Sequence, residues 1–257
     1  MLKVLDLFSG IGGFSLGLER TGGFKTVAFC EIEPFCQQVL KKHWPDVPIF
    51  PDVTELSADD VGPIDVITGG FPCQDISTAG KQSGMGGGTR SGLWSEIARL
   101  IGEIRPRFAI VENVPNLLSG PSERRGQWFG RVLGDLAALG YDAEWHCIPA
   151  SYVGRPTIRD RVWIMAFPNR VGLERIGEDK PLAGYMAGPQ LQTPKTPPTQ
   201  ICSTIRTPGR AKSVCMDNGL PNWMGGWKAY GNAVVPQIPE IIGSAILQAE
   251  GLNEHRA

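Results

Sequence analysis

A cysteine directly follows a proline in the glycine-rich segment GGFPCQDIS, residues 69–77, just after an apolar stretch. A structural cysteine is more typical of the apolar run itself, so this position indicates that Cys73 is a reactive thiol. A free cysteine is only a few per cent thiolate at neutral pH, and a turn that feeds a helix N-terminus presents N–H groups that stabilise the anion. None of the three histidines (His43, His146 and His255) lies near Cys73 in the sequence, which disfavours a Cys–His hydrolase.

Acidic residues follow three other apolar stretches of the chain. Glu31 and Glu112 come after residues 26–30 and 108–111, and Asp52 follows a short third stretch. In open α/β sheets, ligands bind at the carboxyl ends of the strands. Glu31 is placed to hold ribose hydroxyls and Asp52 to hold the exocyclic amine of an adenine. Glu112, if burial keeps it protonated near Cys73, can donate a proton to a ring nitrogen. The alternative is that these acids cap turns.

A glycine turn, FSGIGG, occupies residues 8–13. Gly10 and Gly12 give GxG, but Ser15 stands where the dinucleotide pattern GxGxxG requires glycine. The broken pattern disfavours a dinucleotide-dependent reductase. Backbone N–H groups at the start of the following helix can still bind an anion such as a carboxylate. A tight turn beside solvated acids is the alternative interpretation.

Apolar strands alternate with helical segments along most of the chain, which predicts an α/β fold with a mostly parallel sheet and helices on both faces. We predict strands at 4–8, 26–30, 64–68, 108–111, 143–148 and 161–167, a short third strand before Asp52, and helices at 13–20, 34–43, 91–104, 127–139 and 238–250. Residues 168–222 are rich in Pro, Gly, Thr and Gln, and we expect a small irregular insert or a partly disordered loop there.

Composition narrows the class of protein. The chain has 257 residues and a formal net charge of −1, which argues against non-specific coating of nucleic acid. No apolar run reaches the roughly 18 residues of a membrane span, and the N-terminus lacks the pattern of a signal peptide. The six cysteines form no CxxC pair, so no zinc site is expected, and six cysteines in a chain of this length do not indicate a disulfide framework. We expect a cytoplasmic protein, free of membranes and monomeric.

Six motifs together resemble those of the DNA (cytosine-5) methyltransferases. They are DLFSGIGGFSLGLE, GGFPCQDIS, SGLWSEIARL, ENVPNLL, RDRVWIMA and YGNAVVPQI, in the order found in that family. The resemblance implies a Rossmann-like catalytic domain, residues 1–167 and 223–257, that binds S-adenosylmethionine (SAM), and a target-recognition insert at 168–222. It places the following residues in the SAM pocket: Phe8, Gly10, Ile11, Gly12, Gly13, Glu31, Ile32, Asp52, Val53, Pro72, Leu93, Asn232, Ala233 and Val234.

The resemblance also implies a mechanism. Cys73 adds to C6 of a cytosine that has left the duplex, and C5 becomes nucleophilic. Glu112 holds N3 in a protonated state, so that negative charge need not build on the ring. Arg159 and Arg161 match the last two positions of the family's QxRxR motif, and the resemblance implies that they contact the flipped cytosine or its phosphate and help to orient Glu112. Thr157 stands where the motif has glutamine, which removes one supporting hydrogen bond.

Contacts with double-stranded DNA are expected from two regions. Residues 78–92 resemble the loop that closes over DNA in this family. The expected DNA-binding residues are Gln74, Ser77, Lys81 and Arg90 near this loop, and Lys195, Arg206, Arg210 and Lys212 in the insert. The insert is short for a recognition domain, which predicts a short or relaxed recognition sequence and suggests a phage or prophage origin.

Two other functions remain open within the same fold. Relatives that methylate cytosine in tRNA carry a Cys-Phe-Thr tripeptide late in the chain, and this sequence has none. A catalytically inactive DNA-binding homologue would be expected to lack the cysteine or the glutamate. This chain keeps both Cys73 and Glu112.

Overall fold

A computed structural model describes residues 1–72, 93–120, 124–155, 159–169 and 233–252. The strands are β1 Leu2–Leu7, β2 Phe24–Cys30, β3 Ile49–Phe50, β4 Val66–Gly69, β5 Phe108–Asn113, β6 Tyr141–Pro149 and β7 Asp160–Pro168. The helices are α1 Gly13–Arg20, α2 Pro34–His43, α3 Ala58–Val61, α4 Trp94–Ile104, α5 Asn116–Ser119, α6 Gln127–Ala138 and α7 Gln237–Ala249, with a 3-10 helix at Ala150–Val153. Within these ranges, no helix is long and apolar enough to span a membrane.

The seven strands form one sheet in the order β3-β2-β1-β4-β5-β7-β6. The pairs β1–β2, β1–β4, β2–β3 and β4–β5 are parallel, and β7 runs antiparallel to both β5 and β6. The strand order reverses between β1 and β4, and ligands of doubly wound sheets bind at such a reversal. The predicted α/β fold with a mostly parallel sheet is confirmed.

Each face of the sheet is covered by helices, because successive side chains of a strand point to opposite faces. Leu5 and Leu7 of β1 belong to a core that contains residues of α4 and α6. Leu2 and Val4 belong to a second core, which contains residues of α1 and α7. The two layers fix the sheet between them, so the carboxyl ends of β1, β2, β4 and β5 form a rigid edge for a site.

The close packing of α7 against α1 depends on small residues. A Cβ atom at Gly17 would lie 2.2 Å from the carbonyl oxygen of Pro236. A Cβ atom at Gly243 would lie 2.9 Å from Leu18 Cδ2. Any side chain at either position would push the helices apart. This contact returns the C-terminal segment to the first βα unit, as the resemblance implied.

The sequence-based boundaries are close for the longer elements. Helices α1 and α2 begin and end as predicted. One correction concerns β5, which continues to Asn113, so Glu112 lies inside the strand rather than after it. The two short helices α3 and α5 and the 3-10 helix were not predicted, since four residues are too few to show a helical repeat.

Candidate active site

The glycine turn, residues 8–12, links β1 to α1. Gly10 and Gly12 have φ values of +55° and +83°, in the left-handed region that favours glycine. A Cβ atom at Gly12 would lie 2.6 Å from the ring of Trp44, and one at Gly13 would lie 2.5 Å from the carbonyl oxygen of Val234. A Cβ atom at Gly10 would meet nothing within 4 Å. Gly12 and Gly13 therefore pack against protein, whereas Gly10 borders open space.

The carboxylate of Glu31 lies against this turn. Its Oε2 accepts a hydrogen bond from Gly10 N at 2.7 Å, and its Oε1 accepts one from Glu33 N at 2.8 Å. Each oxygen keeps a further lone pair for a ligand hydroxyl. Burial raises the pKa of Glu31, and the two backbone N–H groups oppose that effect. The side chain is thus held in one orientation with acceptor capacity to spare.

Asp52 follows β3 on the same side of the sheet. Its Oδ1 accepts hydrogen bonds from Thr54 N at 2.9 Å and from Thr54 Oγ1 at 2.7 Å, and these bonds lower the pKa of Asp52. The next residue, Val53, has a buried side chain in the core. The Arg99 guanidinium donates from Nη2 to the carbonyl oxygens of Val53 and Leu56, both at 2.9 Å. Helix α4 thereby anchors the segment that carries Asp52.

Apolar side chains surround the polar groups of this site. Ile32 is 72% exposed, although it is flanked by buried Glu31. Phe8 is half-buried with a φ of +52°, a conformation that a non-glycine residue adopts at a cost of about 1–2 kcal/mol. Leu93 is half-buried at the start of α4, and Ile11 packs against the small core of α2. An exposed apolar residue beside oriented carboxylates suits a ligand with a flat ring and hydroxyl groups.

A second set of groups lies at the end of β4 and β5. The proline turn, residues 70–72, follows β4 and immediately precedes Cys73. A Cβ atom at Gly70 would lie 3.3 Å from Glu112 Oε2, so this carboxyl group faces the turn. Asn113 Nδ2 donates to the carbonyl oxygen of Phe71 at 3.1 Å and ties the turn to β5. The chain is therefore fixed up to the residue before the predicted nucleophile.

Two arginines of the RDR motif surround Glu112. Arg161 Nε lies 2.8 Å from Glu112 Oε1, and Arg159 Nη2 lies 3.9 Å from the same atom. Glu112 is 8% exposed, and its burial raises its pKa despite the two neighbouring arginine cations. Glu112 is therefore easier to protonate than an ordinary glutamate and is held by a donor at the distance of a charge-assisted hydrogen bond.

The C-terminal segment connects the two sets of groups. Arg159 Nη1 donates to the carbonyl oxygen of Ala233 at 2.7 Å, and the next residue, Val234, packs against Gly13. One extended segment thus contacts both the arginine beside Glu112 and the start of α1. This geometry explains why residues more than 200 positions apart in the sequence belong to one site.

The structure brings together most of the described residues that the sequence nominated. Phe8 to Gly13, Glu31, Ile32 and Asp52 follow the carboxyl ends of β1–β3, and Leu93 lies at the start of α4. Glu112, Arg159 and Arg161 lie beside the proline turn, which contains Pro72. Val53 is buried in the core next to Asp52, and Ala233 and Val234 lie on the segment that connects the two sets of groups. The other nominated residues lie outside the described residues: Cys73, Gln74, Ser77, Lys81, Arg90, Thr157, Lys195, Arg206, Arg210, Lys212 and Asn232. The insert from residue 170 onward also lies outside them.

Sequence reasoning missed several residues that support the site. Trp44 lies beneath Gly12, and its Nε1 donates to Glu19 Oε2 at 2.9 Å. Arg99 anchors the Asp52 segment, and Asp6 forms a buried hydrogen-bond network with α1 and β4. Asp6 is the first residue of the motif DLFSGIGGFSLGLE, and it could have been noticed, because a buried strand rarely contains a charged residue that has no partner. Trp44 and Arg99 gave no signal, since their partners are distant in the sequence.

A comparison with protein-family models decides the family. The model for C-5 cytosine-specific DNA methylase matches residues 2–206. The chain belongs to this family.

Individual members of the family agree with this assignment. The Type II methyltransferase M1.ScrFI of Lactococcus lactis subsp. cremoris is 38% identical over 168 residues, which cover 65% of this chain and 42% of that protein. M.AluI of Cellulosimicrobium cellulans is 40% identical over 188 residues, covering 67% of this chain and 35% of that one. The chain thus spans less than half the length of these curated relatives.

Solved structures show the same fold. A crystal structure described as a DNA modification methyltransferase encoded within a prophage (E. coli) superposes with a TM-score of 0.55 and 27% identity, over 73% of this chain and 55% of that chain. The structure of Spodoptera frugiperda DNMT2 gives a TM-score of 0.54 at 20% identity and covers 70% of this chain and 54% of that chain, which shows the fold alone.

Proposed function

We propose that this chain transfers a methyl group from SAM to C5 of cytosine in double-stranded DNA, through a covalent bond between Cys73 and C6. Membership of the cytosine-specific family supports the reaction type. The observation that carries the proposal is the position of Glu112, which faces Gly70 of the proline turn while Arg161 holds it at 2.8 Å. A proton donor beside the nucleophile's turn is what this reaction needs from the protein.

The residues around the glycine turn fit SAM. Glu31 has spare acceptor capacity for ribose hydroxyls, and the lowered pKa of Asp52 keeps it an acceptor for the adenine amino group. Ile32 offers an exposed apolar surface to the adenine ring, and Gly10 leaves open space at the turn. When bound, SAM supplies the electrophilic methyl group. The chain's own part is to orient the cofactor and keep it beside the proline turn.

The protein residues then divide the chemistry on the base. Cys73 attacks C6, and Glu112 gives a proton to N3, so the electrons move to C5 without charge building on the ring. Arg161 holds Glu112 in place, and Arg159 joins this pair to the C-terminal segment. After methyl transfer, the C5 proton passes to water and the Cys73–C6 bond breaks, which releases the thiolate. N3 then returns its proton to Glu112, and the aromatic ring is restored.

Trapping on duplex DNA that contains 5-fluorocytosine tests the proposal. Fluorine replaces the C5 proton, so elimination is blocked and the covalent adduct persists. We expect a SAM-dependent adduct with the wild type and none with Cys73→Ala, detected by denaturing gel. Matched reactions with tRNA and single-stranded DNA test the substrate. An adduct that survives in Cys73→Ala refutes the nucleophile, and methylation of tRNA in preference to duplex DNA refutes the substrate.

We further propose that residues 168–222 form a short recognition insert, which reads only a few bases, and that 1–167 and 223–257 form the catalytic domain. The phosphate contacts would come from Lys81 and Arg90 and from the four basic residues in the part of the insert at 189–212, which are Lys195, Arg206, Arg210 and Lys212. The enzyme would act as a monomer in the cytoplasm of a bacterial or phage-infected cell. Bisulfite sequencing of DNA from cells that express the chain measures the recognised sequence. A unique site of five or more fixed bases would be incompatible with relaxed reading.

A further inference from the structure

A buried carboxyl group joins the two halves of the site. Asp6 Oδ2 accepts a hydrogen bond from Ser15 Oγ at 2.8 Å, and Asp6 Oδ1 accepts one from Thr68 Oγ1, also at 2.8 Å. All three residues are buried, with Asp6, Ser15 and Thr68 each 0% exposed. In the described part of the chain, no cation forms a salt bridge with Asp6. Two hydroxyl groups from different elements, together with the backbone N–H of Ser15, therefore satisfy one carboxyl group.

The two donors lie on the elements that carry the two halves of the site. Ser15 is in the first turn of α1, directly after the glycine turn, and Ser9 Oγ of that turn donates to the Asp6 carbonyl oxygen at 2.5 Å. Thr68 is the register partner of Asp6 in the parallel pair β1–β4. It lies two residues before the proline turn that leads to Cys73. Any displacement of α1 or β4 thus changes a bond to the same carboxyl group.

The network also costs free energy that an apolar side chain would not. A buried polar group that loses its partner is left with its full desolvation penalty, whereas an apolar pair of the same shape is nearly neutral. The neighbouring strand β2 shows the contrast, because buried Thr26 Oγ1 has no hydrogen-bond partner in the described structure, whereas both oxygens of Asp6 have one. Simple packing does not require a carboxyl group at Asp6.

We propose that Asp6 is a positioning residue that couples the glycine turn to the proline turn, so that the geometry of the cofactor pocket and that of the nucleophile depend on each other. The inference rests on the proposed function. It assigns no contact between Asp6 and the cofactor or the base. Its consequence is that a change on the β4 side alters SAM affinity, and a change on the α1 side alters attack by Cys73.

Three variants test the coupling: Thr68→Val, Ser15→Ala and the double variant. SAM affinity is measured by calorimetry without DNA, and the trapping rate on 5-fluorocytosine duplex is measured at saturating SAM. We expect Thr68→Val to weaken SAM binding about fivefold and Ser15→Ala to slow trapping about fivefold. In each measurement, the loss in the double variant should be smaller than the product of the losses in the two single variants. Thr68→Ser keeps the hydroxyl and should restore both measurements.

Thr26→Val is the matched control, because it makes the same substitution in the same sheet without removing a hydrogen bond. It should leave both measurements within about twofold of the wild type, as a volume-preserving change without a lost partner. Effects confined to each variant's own side, or a double variant equal to the product, would overturn the coupling. If Thr68→Val does not fold, Ser15→Ala and Thr68→Ser still decide the result. A wild type that binds no SAM would refute the proposed function itself.

Discussion

Replacement of Asp6 by asparagine should change how the protein's stability depends on pH. Burial raises the pKa of Asp6 from its ordinary value of 3.8 to about 7, although hydrogen bonds from Ser15 and Thr68 oppose the effect, and the negative charge of Glu31 adds to it. The native protein therefore keeps this proton at pH values where the unfolded chain has lost it. The stability that results is fully present below about pH 4 and is lost as the pH rises through about 7.

The size of this effect follows from the two pKa values. Each pKa unit corresponds to about 1.4 kcal/mol, so the full difference between 3.8 and about 7 corresponds to about 4 kcal/mol of unfolding free energy. Between pH 5 and pH 8 the wild type loses about 2–3 kcal/mol of this unfolding free energy. Asp6→Asn removes this titration and keeps the shape of the side chain. Its stability relative to the wild type should therefore rise by that amount over the same interval.

Urea unfolding followed by tryptophan fluorescence at pH 5, 6, 7 and 8 measures the difference. Asp52→Asn is the control, because hydrogen bonds from Thr54 lower the pKa of Asp52, and its contribution is lost only as the pH falls through the acid range. The difference between this control and the wild type should stay flat from pH 5 to pH 8. A flat difference for Asp6→Asn as well would show that Asp6 is not a buried carboxyl group of raised pKa.

Three further predictions concern the site. Glu112→Gln should lower the methylation rate at least about a hundredfold, since a positioned proton donor accelerates a reaction by about 10²–10⁴. Burial raises the pKa of Glu112, and the wild-type kcat should fall as the pH rises and this carboxyl group loses its proton, which a pH–rate profile measures. Gly12→Ala places a Cβ atom 2.6 Å from Trp44 and should weaken SAM binding about tenfold or more in calorimetry. Gly10→Ala meets no protein atom within 4 Å, so the free energy of unfolding without SAM should fall only by the left-handed strain of about 1–2 kcal/mol. Arg99→Ala removes two hydrogen bonds to the backbone between β3 and α3 and should weaken SAM binding about threefold to tenfold. An unchanged affinity for SAM would show that Arg99 does not anchor this segment.

The sequence was sufficient for the parts of the fold that depend on local chemistry. Helix α2 begins at Pro34, whose fixed φ suits the first turn, and α1 begins where the glycine turn ends, so both boundaries were predictable. The carboxyl ends of parallel strands share one edge, which placed Glu31, Asp52 and Glu112 near each other without any structure. The same reasoning did not give the correct end of β5, because Glu112 and Asn113 continue the strand through antiparallel pairing with β7.

The rest of the site depends on contacts that no local pattern encodes. Arg161 and Arg159 approach Glu112 only because β7 inserts between β5 and β6, and the sequence shows strands but not their order in the sheet. Val234 reaches Gly13 because α7 packs on α1 through small residues. The resemblance supplied these pairings as expectations, whereas the physical cause is the packing of the sheet's two faces.

The same packing explains why the acids at this edge of the sheet are held in different ways. Glu31 and Asp52 accept hydrogen bonds from nearby backbone, so they are oriented before any ligand arrives. Glu112 is oriented by Arg161, a side chain from another strand, and its protonation depends on the balance between burial and that cation. A change in the packing of β7 therefore acts on the proton donor directly, and it reaches the glycine turn only through the bond from Arg159 to Ala233, next to Val234, which packs against Gly13. We therefore expect a change in the packing of β7 to alter the protonation of Glu112 before it alters the orientation of Glu31 and Asp52.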